Sequence, residues 1–358
     1  MSETSPLKEH KHGAPLRPIV CMINSVTYNI SKFLASILNP VGSSEHHIQN
    51  TSDFVEKNES VCACNKCLME YDPWLSELMK ESPEPFLSPT NNISEDTFNW
   101  WKGIQTDRRN FTVYNKTVDK VFQIFPTKVN FTRSSPDLCR TCAVVGNSGN
   151  LNGSHYGPLI DFHDIVIRMN LGPTKGFERD VGNKTTYHVM YPRSFTNLDN
   201  TTHLVFFPFK IYDLQWLIWS FTQRYDGRDF KTAKSGLKTN MDLVMILSPA
   251  FIKYVHYVWL KQQGKYPSTG FLTLVLSLYL CDEVSVFGFG ADQNGNWNHY
   301  YEQIKNNRLK TGQHPGRLEY QYIEKLHKQQ KIHFFRGCLH RKTSAWPRWF
   351  CGTARETM

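Results

Sequence analysis

The stretch Tyr266–Gly290, "YPSTGFLTLVLSLYLCDEVSVFGFG", sets the fold class. Ser268 or Thr269 has the short polar side chain of a helix N-cap, and the apolar run Phe271–Leu280 follows as the helix itself. After Cys281, the β-branched and aromatic run Val284–Phe287 reads as a buried strand that ends in a glycine-containing turn. The start of the helix, with small residues and exposed N–H groups, attracts phosphate through hydrogen bonding and the macrodipole. An ordinary capped core helix begins in the same way.

Reading outward, six more stretches have strand character: Ala143–Val145, Asp164–Arg168, Tyr187–Met190, Leu204–Phe207, Leu243–Leu247 and Ile332–Phe335. Helical segments at Asp213–Thr222, Pro249–Gln263 and Leu318–Gln329 separate several of them. This alternation predicts a single Rossmann-like α/β domain, its mostly parallel sheet covered by helices on both faces. Ligands of such sheets sit beyond the carboxyl ends of the strands.

One of those ends is "CAVVGNSGNL" (142–151), where a strand runs into glycines and asparagines. Gly146 and Gly149 allow torsions that a side chain forbids, so a ligand such as phosphate could approach the main chain; a plain strand-to-helix turn uses the same residues. The turn lacks the three-glycine dinucleotide fingerprint and the Gly-Lys-Ser/Thr of a P-loop. Asn147 and Asn150 offer neutral amides instead, which suit a nucleotide sugar better than a triphosphate.

With 358 residues, 40% of them hydrophobic, the chain can bury a sizeable core and is globular rather than disordered. A net charge of +9 favours an anionic partner, but no basic block is dense enough to separate this from a solvated basic surface. Six of the nine cysteines group as Cys62, Cys64, Cys67, then Cys139 and Cys142, then Cys281. Two Cys-x-x-Cys pairs invite a zinc-ribbon reading, yet their separation far exceeds the usual gap of about 15–20 residues, so disulfides are favoured. Asn-x-Ser/Thr acceptors at Asn29, Asn50, Asn58, Asn92, Asn110, Asn115, Asn130, Asn152, Asn183 and Asn200 point with the cysteines to a secretory lumen. The polar start "MSETSPLKEHKHGAPLRP" offers neither a signal peptide nor an anchor of about 20 apolar residues. The most apolar long stretch, 201–220, contains Lys210, Asp213 and Gln215 and reads as a strand followed by an amphipathic helix.

"NWNHYYE" (296–302) and "HPGRLE" (314–319) each bring a histidine and a glutamate into a region rich in Gly, Asn and aromatic residues. Histidine takes a proton from a hydroxyl, or gives one to a phosphate, near neutral pH. Trp297, Tyr300 and Tyr301 suit a sugar face, and packing accounts for them equally well.

These segments together resemble the animal sialyltransferases. "CRTCAVVGNSGNL" with the residues up to "YHVMYP" is similar to the family's large motif, "YPSTGFLTLVLSLYLCDEVSVFGFGAD" to the small motif, "HYYE" to the third and "HPGRLE" to the very small motif, in the family's order over roughly residues 58–337. The details look most like the β-galactoside α-2,3-sialyltransferases that act on Gal-β1,3-GalNAc. The resemblance implies a variant GT-A fold and inverting, metal-free transfer of sialic acid from CMP-sialic acid to a galactose 3-hydroxyl. It implies that Asn147, Asn150, Asn170, Ser268, Thr269, Gly270, Gly290 and the position of Phe230 hold the CMP moiety. It makes His314 the general base and His299 the donor to the phosphate, with Gln105 and Tyr266 on the acceptor side. It pairs Cys62 with Cys67, Cys64 with Cys139 and Cys142 with Cys281. It implies a Golgi membrane location and no nucleic-acid partner, and allows a homodimer.

Three departures stand out. Phe230 replaces an expected tyrosine on the nucleotide side, removing a hydrogen bond worth about 1 kcal/mol. Asn298 and Tyr301 stand where relatives show histidine and tryptophan. Residues 15–55 resemble a fragment of a retroelement reverse transcriptase without its Tyr-x-Asp-Asp strand. The expected organisation is therefore a non-family segment at 1–57, a catalytic domain at 58–337 and an added tail at 338–358; as written, the chain would not enter the secretory pathway unaided. The alternative reading is a non-catalytic CMP- or glycan-binding remnant.

Overall fold

The computed structural model describes residues 63–64, 68, 72–125, 138–223, 237–291, 296–303 and 312–337. The expected pair Cys62–Cys67, Phe230 and the segments 1–57 and 338–358 lie outside them. One sheet contains β1 Thr141–Val145, β2 Ile165–Met169, β3 Tyr187–Met190, β4 His203–Phe206, β5 Val244–Ile246, β6 Glu283–Phe287 and β7 His333–Phe335. The strand order is β5-β4-β3-β2-β1-β6-β7, with every pairing parallel. All seven stretches read as strands from the sequence form one. The order in which strands are added reverses at β1 and β6, and such a switch point opens a crevice at the carboxyl ends.

The helices are α1 Pro73–Met79, α2 Glu95–Ile104, α3 Phe111–Ile124, α4 Gly157–Phe162, α5 Glu178–Val181, α6 Ile211–Thr222, α7 Pro249–Tyr254, α8 Thr269–Leu280 and α9 Gly316–Lys328. Because side chains alternate along a strand, Cys142 and Val144 of β1 pack into one core with the residues of α8, while Ala143 and Val145 pack into a second with Ile160 of α4 and Val181 of α5. This two-sided burial is why the strands are mostly apolar. Cys142 and Cys281 are joined, as are Cys64 and Cys139, so these cysteines are not thiolate ligands for zinc. Among the described residues, no helix is long and apolar enough to cross a membrane.

Two helical expectations need correction. The segment expected to be one helix over Pro249–Gln263 is α-helical only to Tyr254 and widens into a π-helical turn over Val255–Trp259. The turn buries Val255, His256 and Trp259 together, and Trp259 Nε1 donates to the Tyr254 hydroxyl at 3.1 Å. The helix α6, expected to be amphipathic, is buried almost all round. Its polar residues are consumed by partners rather than by solvent: Gln215 Oε1 accepts from Arg109 Nη1 at 2.6 Å, and Asp213 Oδ2 accepts from the Phe209 amide at 2.8 Å.

Burial pushes the Asp213 carboxyl up to about 6, against the Phe209 hydrogen bond and the charge of Lys210. Between the unfolded carboxylate value of about 3.9 and about 6, the native state therefore binds more protons, so this group's contribution to stability falls as pH rises through that window. Asp213→Asn keeps the carbonyl acceptor and removes the charge. Its stability relative to wild type should rise from pH 4 to pH 7 in urea titrations, and a pH-independent difference would contradict the assignment.

Candidate active site

The crevice at the β1/β6 switch point is built mainly from main chain. Gly146 and Gly149, read for torsions that a side chain forbids, do not adopt them. Neither has a positive φ. A Cβ on Gly146 would stand 2.3 Å from the Gly288 carbonyl oxygen, and one on Gly149 would stand 3.3 Å from the Asn298 oxygen. The glycines let the loops after β1 and β6, and the 296–302 segment, pack backbone on backbone. Asn298 thus serves through its carbonyl, which accepts from the Gly149 amide at 2.7 Å.

This packing sets the asparagines. Asn147 Nδ2 donates to the Met169 carbonyl at 3.1 Å, and the Asn147 carbonyl accepts from the Tyr300 amide at 3.0 Å. Asn150 Nδ2 donates to the Phe289 carbonyl at 2.8 Å. Asn170, just beyond β2, has φ +56°. The amide oxygens of Asn150 and Asn170 are buried with no hydrogen-bond partner. A buried, unpaired acceptor costs about 1–3 kcal/mol, so two in one crevice suit a ligand bearing hydroxyl or amino donors.

The start of α8 closes the crevice. Ser268 Oγ accepts from the Phe271 amide at 3.1 Å, leaving the amides of Thr269 and Gly270 without an acceptor inside the helix. A Cβ on Gly270 would lie 3.0 Å from the Phe289 ring and 3.7 Å from Met169 Sδ, so this end of the helix abuts the side chains of the two residues whose carbonyls hold Asn150 and Asn147. Gly290 is required by its own turn, with φ +92° and Tyr320 2.7 Å from where a Cβ would stand.

Both histidines have a defined tautomer. His314 Nδ1 lies 3.1 Å from the Tyr266 carbonyl, which can only accept, so Nδ1 carries the proton and the basic lone pair is on Nε2. His299 Nδ1 lies 2.6 Å from Glu302 Oε1, an acceptor, so Nδ1 carries a proton and Nε2 can donate only from a doubly protonated ring. Tyr301, one of the departures, stacks on the His299 ring at 5.0 Å. His299 also pairs with Ser148 of the loop after β1.

Tyr266 links His314 to Phe209 and its neighbours. Its ring meets His314 edge to face at 4.8 Å and Phe209 at 5.7 Å. Next to Phe209, Lys210 Nζ donates to Gln105 Oε1 at 3.1 Å, so Gln105 presents its NH₂ group elsewhere. Sequence reading assigned no role to Lys210 or Glu319. Glu319 Oε1 accepts from the Ser268 amide at 2.7 Å, and burial raises its pKa against those Ser268 bonds. The carboxylate thus holds the cap of α8, and the only advance signal was the His–Glu spacing in "HPGRLE". Among the described residues, Cys64, Cys139 and Glu283 form the one cluster of metal-ligand type, and its two sulfurs are bonded to each other.

A crevice at a parallel-sheet switch point with two unpaired buried amide acceptors, an open helix start and two oriented histidines suits a group-transfer enzyme of the nucleotide-sugar type. The family model for glycosyltransferase family 29 (sialyltransferase) matches residues 86–331, and the chain belongs to that family. It is 42% identical over 282 residues to the Sus scrofa CMP-N-acetylneuraminate-beta-galactosamide-alpha-2,3-sialyltransferase 1, covering 77% of this chain and 82% of that protein. The Mus musculus type 2 enzyme of the same name is 41% identical over 284 residues, 77% of this chain and 80% of that one. A mammalian sialyltransferase crystallised with Gal-beta-1-3GalNAc-ortho-nitrophenol superposes with a TM-score of 0.69 at 40% identity, covering 77% of this chain and all of that one.

Proposed function

We propose that this glycosyltransferase moves sialic acid from CMP-sialic acid to the 3-hydroxyl of the terminal galactose in Gal-β1,3-GalNAc glycans, with inversion. The observation that carries the reading is the His314 tautomer, which presents a base at Nε2 beside the acceptor-side residues Tyr266, Phe209 and Gln105. His314 Nε2 takes the proton of the 3-hydroxyl as its oxygen bonds to the sialyl C2. The bond from C2 to the phosphate oxygen breaks on the opposite face. His299 Nε2–H and the first-turn amides of α8 stabilise the charge gained by departing CMP, a task for which preorganised donors suffice without a metal.

Asn147, Asn150, Asn170, Ser268, Thr269, Gly270 and Gly290 form the donor side in this reading, with Phe230 at its edge. The same reading puts the catalytic domain at 58–337, apart from 1–57 and 338–358, and its work in the Golgi. The similarity of the relatives' names supports the linkage and acceptor.

The test is transfer from CMP-sialic acid to Gal-β1,3-GalNAc by the full chain, secreted behind a cleavable heterologous signal peptide, with EDTA present. An α-2,3 product in EDTA is expected. CMP binding without turnover would leave a binding protein, and loss of activity restored by a divalent ion would overturn the metal-free mechanism.

A further inference from the structure

Outside the residues discussed so far, the described chain contains one buried histidine that reaches the crevice. His188 lies in β3, beside Arg168 of β2 in the sheet register. Its side chain is buried, and its Nε2 lies 2.7 Å from the backbone carbonyl of Asn170. A carbonyl only accepts, so Nε2 carries the proton and donates. Burial first, and the Arg168 charge after it, hold the imidazole pKa below its ordinary value, so the donor is the neutral ring.

Asn170 needs such a partner. Its φ of +56° lies in the left-handed region, which asparagine tolerates better than most residues but does not prefer. The strand ends there and the chain turns out to Leu171, which is exposed. Both backbone groups of Asn170 are held by β3: the amide donates to the Val189 carbonyl at 2.8 Å, and the carbonyl accepts from His188. What this conformation achieves is the placement of Asn170 Oδ1, a buried acceptor with no partner in the protein.

We propose that His188 is a positioning residue for the donor site: its Nε2–H clamps the Asn170 carbonyl, and so holds Asn170 Oδ1 where it accepts a hydrogen bond from a hydroxyl or amino group of the bound nucleotide. The proposal rests on the reading of this crevice as the CMP site. His188 does not touch the acceptor side, so its loss moves nucleotide affinity and not the acceptor KM.

The experiment titrates CMP into the full secreted chain by calorimetry and measures both KM values for wild type, His188→Gln, His188→Met and His188→Asn. The glutamine amide nitrogen reaches where Nε2 lies; methionine fills the site without a donor; asparagine keeps it polar but is too short. The Met and Asn variants are expected to bind CMP about tenfold more weakly, the effect of one lost hydrogen bond, with acceptor KM unchanged and with Gln close to wild type. Should His188→Met not fold, His188→Asn decides. CMP affinity equal to wild type in the variants lacking the bond, or a matching rise in acceptor KM, overturns the clamp. A folded wild type that binds no CMP instead defeats the donor-site reading, and the proposal with it.

Discussion

Replacing His314 with alanine lowers kcat by roughly 10²- to 10⁴-fold, the range of a lost general base, while CMP affinity stays at the wild-type level. The separation follows from where the residue sits. His314 is held by the Tyr266 carbonyl on the proposed acceptor side, whereas Asn147, Asn150 and Asn170 are fixed by the Met169 and Val189 carbonyls, the His188 side chain and the loop after β6. Alanine also removes the hydrogen bond to Tyr266, so the control is His314→Asn. The asparagine side chain places an amide donor near the old Nδ1 and can keep the Tyr266 carbonyl satisfied, but it has no base. Single-turnover rates that fall equally in both variants assign the loss to proton transfer. Recovery of most of the rate in His314→Asn would make His314 a structural prop for Tyr266 and leave the base to be found elsewhere.

Much of the fold was legible because parallel strands buried on both faces announce themselves as short apolar runs. Val144–Val145 and Val284–Phe287 could hardly be placed elsewhere, and of the two cap candidates, Ser268 and Thr269, it is the Ser268 side chain that caps α8. What was not legible depends on partners far away in sequence. Asp213 and Gln215 looked like the wet face of α6 because nothing local shows that Asp107, Arg109 and the Phe209 amide surround them. The π-helical turn after Tyr254 likewise depends on the Tyr254 hydroxyl and the packing of Trp259. Strand order also lies beyond local pattern, since nothing in β6 itself states that it returns beside β1.

At the site, the motif histidines and asparagines were visible as residue types, but their roles depend on second partners. The glycines of "GNSG" were read for their torsions, whereas the structure uses them for close approach of the main chains at 288 and 298. Glu319 was visible as a spacing and His188 was not visible at all: in "YHVM" a histidine between apolar residues looks like any strand polar residue. Only the Asn170 carbonyl at 2.7 Å gives it a task.

Replacing Cys142 and Cys281 together with alanine should remove about 2–5 kcal/mol of stability, a large part of the net stability of a domain. The bond spans 139 residues of sequence, and the entropy of closing so long a loop in the unfolded chain puts the expectation at the upper end of that range. Its place matters as much as its span. It fastens the second residue of β1 to Cys281, two residues before β6, and these are the two strands whose carboxyl ends bound the crevice. At that far end the same pair is held by Gly146 against Gly288, main chain on main chain, where no covalent link exists. Loss of the bond should therefore loosen the register on which Asn147 and Asn150 depend, and CMP affinity should fall with the urea midpoint. The Cys64→Ala/Cys139→Ala pair is the control, because it removes the same chemistry over a span of 75 residues, before β1 and outside the β1/β6 seam. Similar losses of stability with CMP binding intact in both pairs would show that the disulfide acts only on the unfolded chain and that the glycine contact alone keeps the seam in register.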